Sequence, residues 1–163
     1  MSLSMNKNLT ILVDFDHTLF DTGKFVKFRS KNPKELNYSD FLYPDAIPFI
    51  IYASGKGTTV LFSEGEVDFQ KEKINGTGIE KLFNGGVRVL PSFSKMSSLK
   101  EWKGRKLVLI DDKPEVIKDA AKKSFLTIRV RRGRYVNVDT QNLADFTVKS
   151  LREIVDKNLL ESI

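Results

Sequence analysis

The chain contains no cysteine and a single histidine, His17, among its 163 residues. Without cysteine there is no disulfide framework, no thiolate zinc site and no cysteine nucleophile. With one histidine, any metal centre has to be built from oxygen ligands. No apolar run approaches the roughly 18–20 residues that span a bilayer, so no membrane partner is expected. Five prolines, 10 glycines, 40% hydrophobic and 29% charged residues are ordinary globular usage and exclude collagen-like or wholly disordered chains. Lys and Arg number 27 against 21 Asp and Glu, a net +6 that favours anionic ligands but falls short of a dedicated nucleic-acid arm.

The length predicts one domain with a single core. Met1-Ser2-Leu3-Ser4-Met5 has no apolar segment of the signal-peptide kind, and its second methionine marks residues 1–8 as an extension and tail. Residues 9–163 are read as the single domain. A reduced cytoplasm is the simplest compartment for such a chain.

Short apolar runs recur at residues 9–15, 59–62, 87–90, 106–110 and 126–130, with a weaker one at 145–148. They are continuous and rich in Val, Ile, Leu and Phe, the pattern of strands buried on both faces of a parallel sheet. Between them, residues 45–53, 66–74, 94–102, 114–124 and 150–160 carry apolar residues at helical spacing, several with Ser, Asp or Pro near the start. Strand and helix therefore alternate, which predicts an α/β fold with a doubly wound, mainly parallel sheet and helices on both faces. Residues 20–43 break the rhythm. They are polar, basic and too long for a plain strand-to-helix turn, and are read as a small cap or lid.

The acids fall at strand ends. Ile11-Leu12-Val13 runs into Asp14-Phe15-Asp16, Val60-Leu61-Phe62 ends in Ser63, and Leu107-Val108-Leu109-Ile110 ends in Asp111-Asp112. In open α/β sheets ligands bind outside the carboxyl ends of the strands, so three polar tips can share one crevice. Crowded carboxylates repel, and a divalent cation relieves them. Oxygen-only ligands select a hard ion such as Mg²⁺, which binds through a few carboxylates and substrate phosphate. Taken singly, each of these residues could merely cap the next helix; capping does not explain all three tips together. An EF-hand loop fits Asp14, Asp16 and Thr18 but fails at Leu19, where a glycine is required, and at Phe25, where the bidentate glutamate should stand.

Asp14-Phe15-Asp16-His17-Thr18-Leu19 resembles the first motif of the haloacid dehalogenase (HAD) superfamily, DxDxT followed by an apolar residue. Ser63 resembles the second motif and Ile110-Asp111-Asp112 the acidic fourth. The third is a lone lysine. Lys95 is the candidate because it opens the helix before the Asp111 strand, with Lys73 and Lys100 as rivals. The resemblance covers residues 9–130 and implies a Rossmann-like core of the phosphatase-like branch with a small or absent cap. It further implies a Mg²⁺-dependent phosphohydrolase that cleaves a phosphate monoester through an aspartyl-phosphate on Asp14, with Asp16 as general acid and base. Asp14, the backbone carbonyl of Asp16 and Asp111 would hold the metal, Ser63 and Lys95 the phosphoryl oxygens, and Asp112 would orient its neighbours from behind. His17 replaces a glycine common in the family and is assigned no role.

Asp16 separates hydrolysis of esters from dehalogenation, since a halide departs without protonation. Phosphomutases share both aspartates but usually carry a larger cap than residues 20–43 could form. A receiver-type phosphoacceptor domain builds a similar acidic pocket with the motifs in another order: its adjacent acids come first. A nucleic-acid-binding module is motivated by Arg129-Val130-Arg131-Arg132-Gly133-Arg134-Tyr135, which reads equally well as a solvated sheet end. The expected partner is a phosphorylated small molecule. A larger anion is open to it if Lys24, Lys27, Arg29, Lys31 and Lys34 line the entrance.

Overall fold

The computed structural model describes residues 8–34, 36–139 and 142–163. The Met1 to Met5 stretch read as an extension lies outside these residues. The apolar runs form six strands, β1 (Leu9–Val13), β2 (Thr58–Gly65), β3 (Val87–Pro91), β4 (Lys106–Asp111), β5 (Leu126–Val130) and β6 (Phe146–Val148). They make one sheet in the order β3-β2-β1-β4-β5-β6, every neighbouring pair parallel. This is the Rossmann-like doubly wound order.

Parallel neighbours require crossovers, and helices α1 (Thr22–Lys31), α2 (Ala46–Ser54), α3 (Val67–Thr77), α4 (Lys95–Ser98) and α5 (Pro114–Lys122) lie in them, while α6 (Leu151–Asp156) follows β6. Period-two alternation divides each central strand between two cores. Leu9, Ile11 and Val13 of β1, with Val108 and Ile110 of β4, pack toward Phe49 and Ile50 of α2, Ile74 of α3 and Ile154 of α6. Leu12, Leu107 and Leu109 face the other way, toward Trp102 and toward Val116 and Ala120 of α5. Burying both faces of β1 and β4 fixes their register, so the polar residues beyond their ends are placed by the whole core. From β1 the chain winds outward to β3, then crosses back to β4. The reversal leaves a crevice at the tips of β1 and β4.

Three departures from the expected elements have physical causes. Strand β3 is an edge strand rather than buried on both faces, and Val87 is exposed. Residues 94–102 and 150–160 each split into a short helix and a 3-10 turn, Leu99–Trp102 and Leu159–Glu161, the latter after Asn158 in the left-handed conformation at φ 48°. Residues 20–43 contain α1 and the 3-10 turn Tyr38–Phe41, held down by a cluster of tilted aromatic rings. The Phe20 ring lies 5.3 Å from Phe25 and 5.9 Å from Phe41. No described helix is long and apolar enough to cross a membrane.

Candidate active site

Asp14 is fixed where β1 stops, its backbone N–H donating to the Ile110 carbonyl of β4 at 2.9 Å. The chain then turns tightly around the Phe15 carbonyl, which accepts from the N–H groups of Thr18, Leu19 and Phe20. His17 takes the left-handed conformation in this turn, with φ 60°. Gly133 passes so close that a Cβ there would meet the His17 ring at 2.5 Å. The turn brings the Thr18 hydroxyl back to donate to Asp14 Oδ2 at 3.0 Å.

Lys95 Nζ reaches Asp14 Oδ1 and Asp111 Oδ2, each at 2.6 Å, and all three side chains are buried. Burial disfavours the ammonium, but Asp111 and then Asp14 outweigh it and hold the Lys95 pKa above its ordinary value. One cation does not balance three carboxylates. Burial first, then Asp111, pushes the Asp14 carboxyl above the ordinary carboxylate range against the pull of Lys95. Asp112 is pushed up as well, by burial, then Asp14, then Asp111.

Asp16 is held differently. Its Oδ1 accepts from Thr22 Oγ1 and Lys73 Nζ at 2.7 Å each, and its Oδ2 accepts from Gln70 Nε2. Burial raises its pKa, but Lys73, then Gln70 and Thr22, reverse this and leave it lowered. The same Gln70 amide donates to Ser63 Oγ at 2.8 Å, tying the tip of β2 to that of β1. Lys95, the candidate for the third motif, and its rival Lys73 therefore serve different carboxylates. Lys100 is exposed on the 3-10 turn after α4.

Carboxylate oxygens of Asp14, Asp111 and Asp112 lie within 4.8 Å of one another. Asp111, expected at a metal, shares Lys95 with Asp14, and its Oδ1 accepts from the Lys113 N–H. Asp112, expected behind it, has an Oδ2 that is buried without a hydrogen-bond partner among the described residues. A buried orphan oxygen beside two more carboxylates is a donor set that suits a hard divalent ion.

The cavity above these groups has a volume of about 250 Å³, and its wall adds His17, Glu64, Lys113, Arg134 and Tyr135. The cations of residues 24–34 are not in that wall. Lys24 Nζ donates to the Asp40 carbonyl, and Arg29 stacks on Phe69. Most of the arginine run is also spent internally. Arg129 donates to the Tyr135 carbonyl, Arg131 to the Val136 carbonyl and Arg132 to both oxygens of Asp45. A larger cavity of about 350 Å³ near Pro48, Phe49 and Val155, lined by α2 and α6, holds no comparable set of reactive groups.

Thr18 enters the sequence reading as part of the DxDxT motif, whereas Gln70 and Thr22 do not enter it at all. Gln70 and Lys73 stand three residues apart on α3, hence on one helix face, and that spacing was the available signal.

No protein-family model matches this chain, and no curated protein matches it in sequence. Solved structures do. A haloacid dehalogenase-like hydrolase from Burkholderia xenovorans superposes with a TM-score of 0.76 at 19% identity, over 96% of this chain and 99% of that one. A HAD hydrolase from Bacillus subtilis, bound to magnesium, matches at 0.66 and 12%, over 93% and 99%. L-2-haloacid dehalogenase from Xanthobacter autotrophicus matches at 0.58 and 13%, over 91% and 98%. At these identities the likeness is one of fold, the fold of the HAD-like hydrolases.

Proposed function

We propose that this chain, with the fold of the HAD-like hydrolases, is a phosphohydrolase of that superfamily acting on phosphate monoesters through Asp14. The observation that carries the reading is the pair Asp14 and Asp16, two carboxylates in one cavity wall, the first paired with Lys95 and the second with Lys73. A dehalogenase would need only the first of them. Without metal Asp14 is shifted up and Asp16 down, the reverse of what a nucleophile and a general acid use, so ionised Asp14 would require a divalent ion beside it.

Asp14 attacks phosphorus, forming the aspartyl O–P bond as the ester O–P bond breaks. Lys95 and Thr18 fix its carboxylate for that approach. Asp16 delivers a proton to the departing oxygen, then takes one from the water that cleaves the aspartyl-phosphate. Its ion pair with Lys73 holds the ionised form that the second step uses. The pair has to loosen for the first. Ser63, at the tip of β2, and Lys95 would hold the phosphoryl oxygens. Asp14, the backbone carbonyl of Asp16 and the Asp111-Asp112 pair would hold Mg²⁺, which when bound draws charge off the transferring group. Nearly all the arginine run is committed within the fold, which favours a phosphorylated small molecule over a nucleic-acid-binding module.

Asp16→Asn tests the reading. Alkyl phosphates, whose leaving oxygen needs a proton, should slow by about a hundredfold or more. An activated ester such as 4-nitrophenyl phosphate should slow far less. Stopped-assay rates on the two esters decide it, and equal slowing would remove Asp16 from proton transfer.

A further inference from the structure

Phe93 is 86% exposed, the most exposed large hydrophobic residue among those described, and its backbone is in the left-handed region at φ 63°. Bulky residues rarely occupy that region, where glycine or asparagine is at ease. A scattered exposed phenylalanine is ordinary. One held in a disfavoured conformation beside a reactive cavity is not. Phe93 follows β3, and Lys113 Nζ lies 5.7 Å from its ring centroid. Lys113 itself is in the cavity wall and pairs with Glu64 at 3.1 Å.

Beyond the tip of β5 the same wall carries Arg134 and Tyr135, with the guanidinium 5.5 Å from the ring centroid. Arg134 has no carboxylate partner among the described residues. In the sheet order, β3 lies on one side of the β1 and β4 tips and β5 on the other. The carboxylates form the floor, with an exposed aromatic ring just outside one lip, next to Lys113 of the wall, and an uncompensated cation with a second ring in the wall at the other.

We propose that these lips select the leaving group: Phe93 stacks on a planar aromatic ring, and Arg134 pairs with a second anionic group on the same molecule. The substrate class is an aromatic phosphate ester bearing an additional negative charge. The proposal rests on the floor being a phosphoryl site and adds what the ester must carry. Stacking on an aromatic side chain tolerates any ring with a π-face. A cation at the rim of a cleft also raises the encounter rate of an anionic ligand.

The test is calorimetric binding, with Mg²⁺ present, of benzylphosphonate, cyclohexylmethylphosphonate and 4-carboxybenzylphosphonate to wild type, Phe93→Ala and Arg134→Ala. Phe93→Ala should weaken both benzyl ligands about tenfold and leave the cyclohexyl ligand unchanged. Arg134→Ala should erase the advantage of the carboxylated ligand over the plain one. Phe93→Gly should lose the same affinity yet melt no lower than wild type, because glycine accepts the backbone angle. Equal weakening of benzyl and cyclohexyl ligands, or no weakening of either, overturns the proposal. The fourth ligand, 4-(hydroxymethyl)benzoate, lacks the phosphonate and is followed by NMR titration. If no phosphonate binds but this ligand binds wild type and is weakened by Phe93→Ala, the phosphoryl reading of the floor fails and the lips stand. If it too ignores Phe93, both fail.

Discussion

Asp14→Asn is expected to lower phosphate release by about three orders of magnitude or more, the scale of removing a nucleophile that acts with its partners as a unit. The amide keeps the shape of the carboxylate and can still face Thr18 and Lys95, so the loss is one of nucleophilic charge. The substitution also removes one of three carboxylates crowded within 4.8 Å, each burdened by burial. The variant should therefore melt at or above the wild-type temperature. Inactivity and undiminished stability together distinguish a missing nucleophile from a damaged fold. A variant retaining a tenth of the wild-type rate would take Asp14 out of the reaction.

Lys95→Met should have the largest effect on stability. Lys95 is the cation between Asp14 and Asp111, and removing one partner of a buried ion pair costs about 3–5 kcal/mol because a charge is left uncompensated. The cost should depend on pH. Asp14 and Asp112 have folded-state pKa values raised above the ordinary 3.8, so between that value and their raised ones the folded protein holds more protons than the unfolded chain. Metal-free stability then falls as pH rises from about 4 toward neutrality. Without Lys95 the carboxylates lose their one compensating charge, and the fall should steepen. Urea denaturation of both proteins in chelator at pH 5 and pH 8 reads the difference directly. Parallel pH dependence in the two would mean that Lys95 does not carry the cluster.

The central strands were legible because they are buried on both faces. An apolar run such as Leu126–Val130 leaves little choice of element or bounds. Helix α5 was legible from Pro114 at its start and its apolar face. Helix α1 was not, since Phe25 is its one buried residue and the rest of Thr22–Lys31 is polar. β3 looked like an interior strand because its apolar composition says nothing about which neighbour is missing. In the site, Asp14, Asp16, Ser63, Asp111 and Asp112 announce themselves by sitting at strand ends. The two lysines do not, because an ammonium reaches its carboxylate across 57 or 81 residues of chain without local pattern. The cavity lips are equally silent in sequence. Phe93 and Tyr135 come together with the floor through sheet order, and the φ of Phe93 exists only in the fold.

The measurement that bears most directly on the central claim is release of inorganic phosphate from 4-nitrophenyl phosphate by the purified protein in Mg²⁺, then in excess chelator, then with Mg²⁺ restored. Halide release from a 2-haloacid is followed in parallel. The account predicts phosphate release that is lost in chelator and recovered with Mg²⁺, and no halide. Phosphate release indifferent to chelator, or halide release without phosphate release, would contradict it.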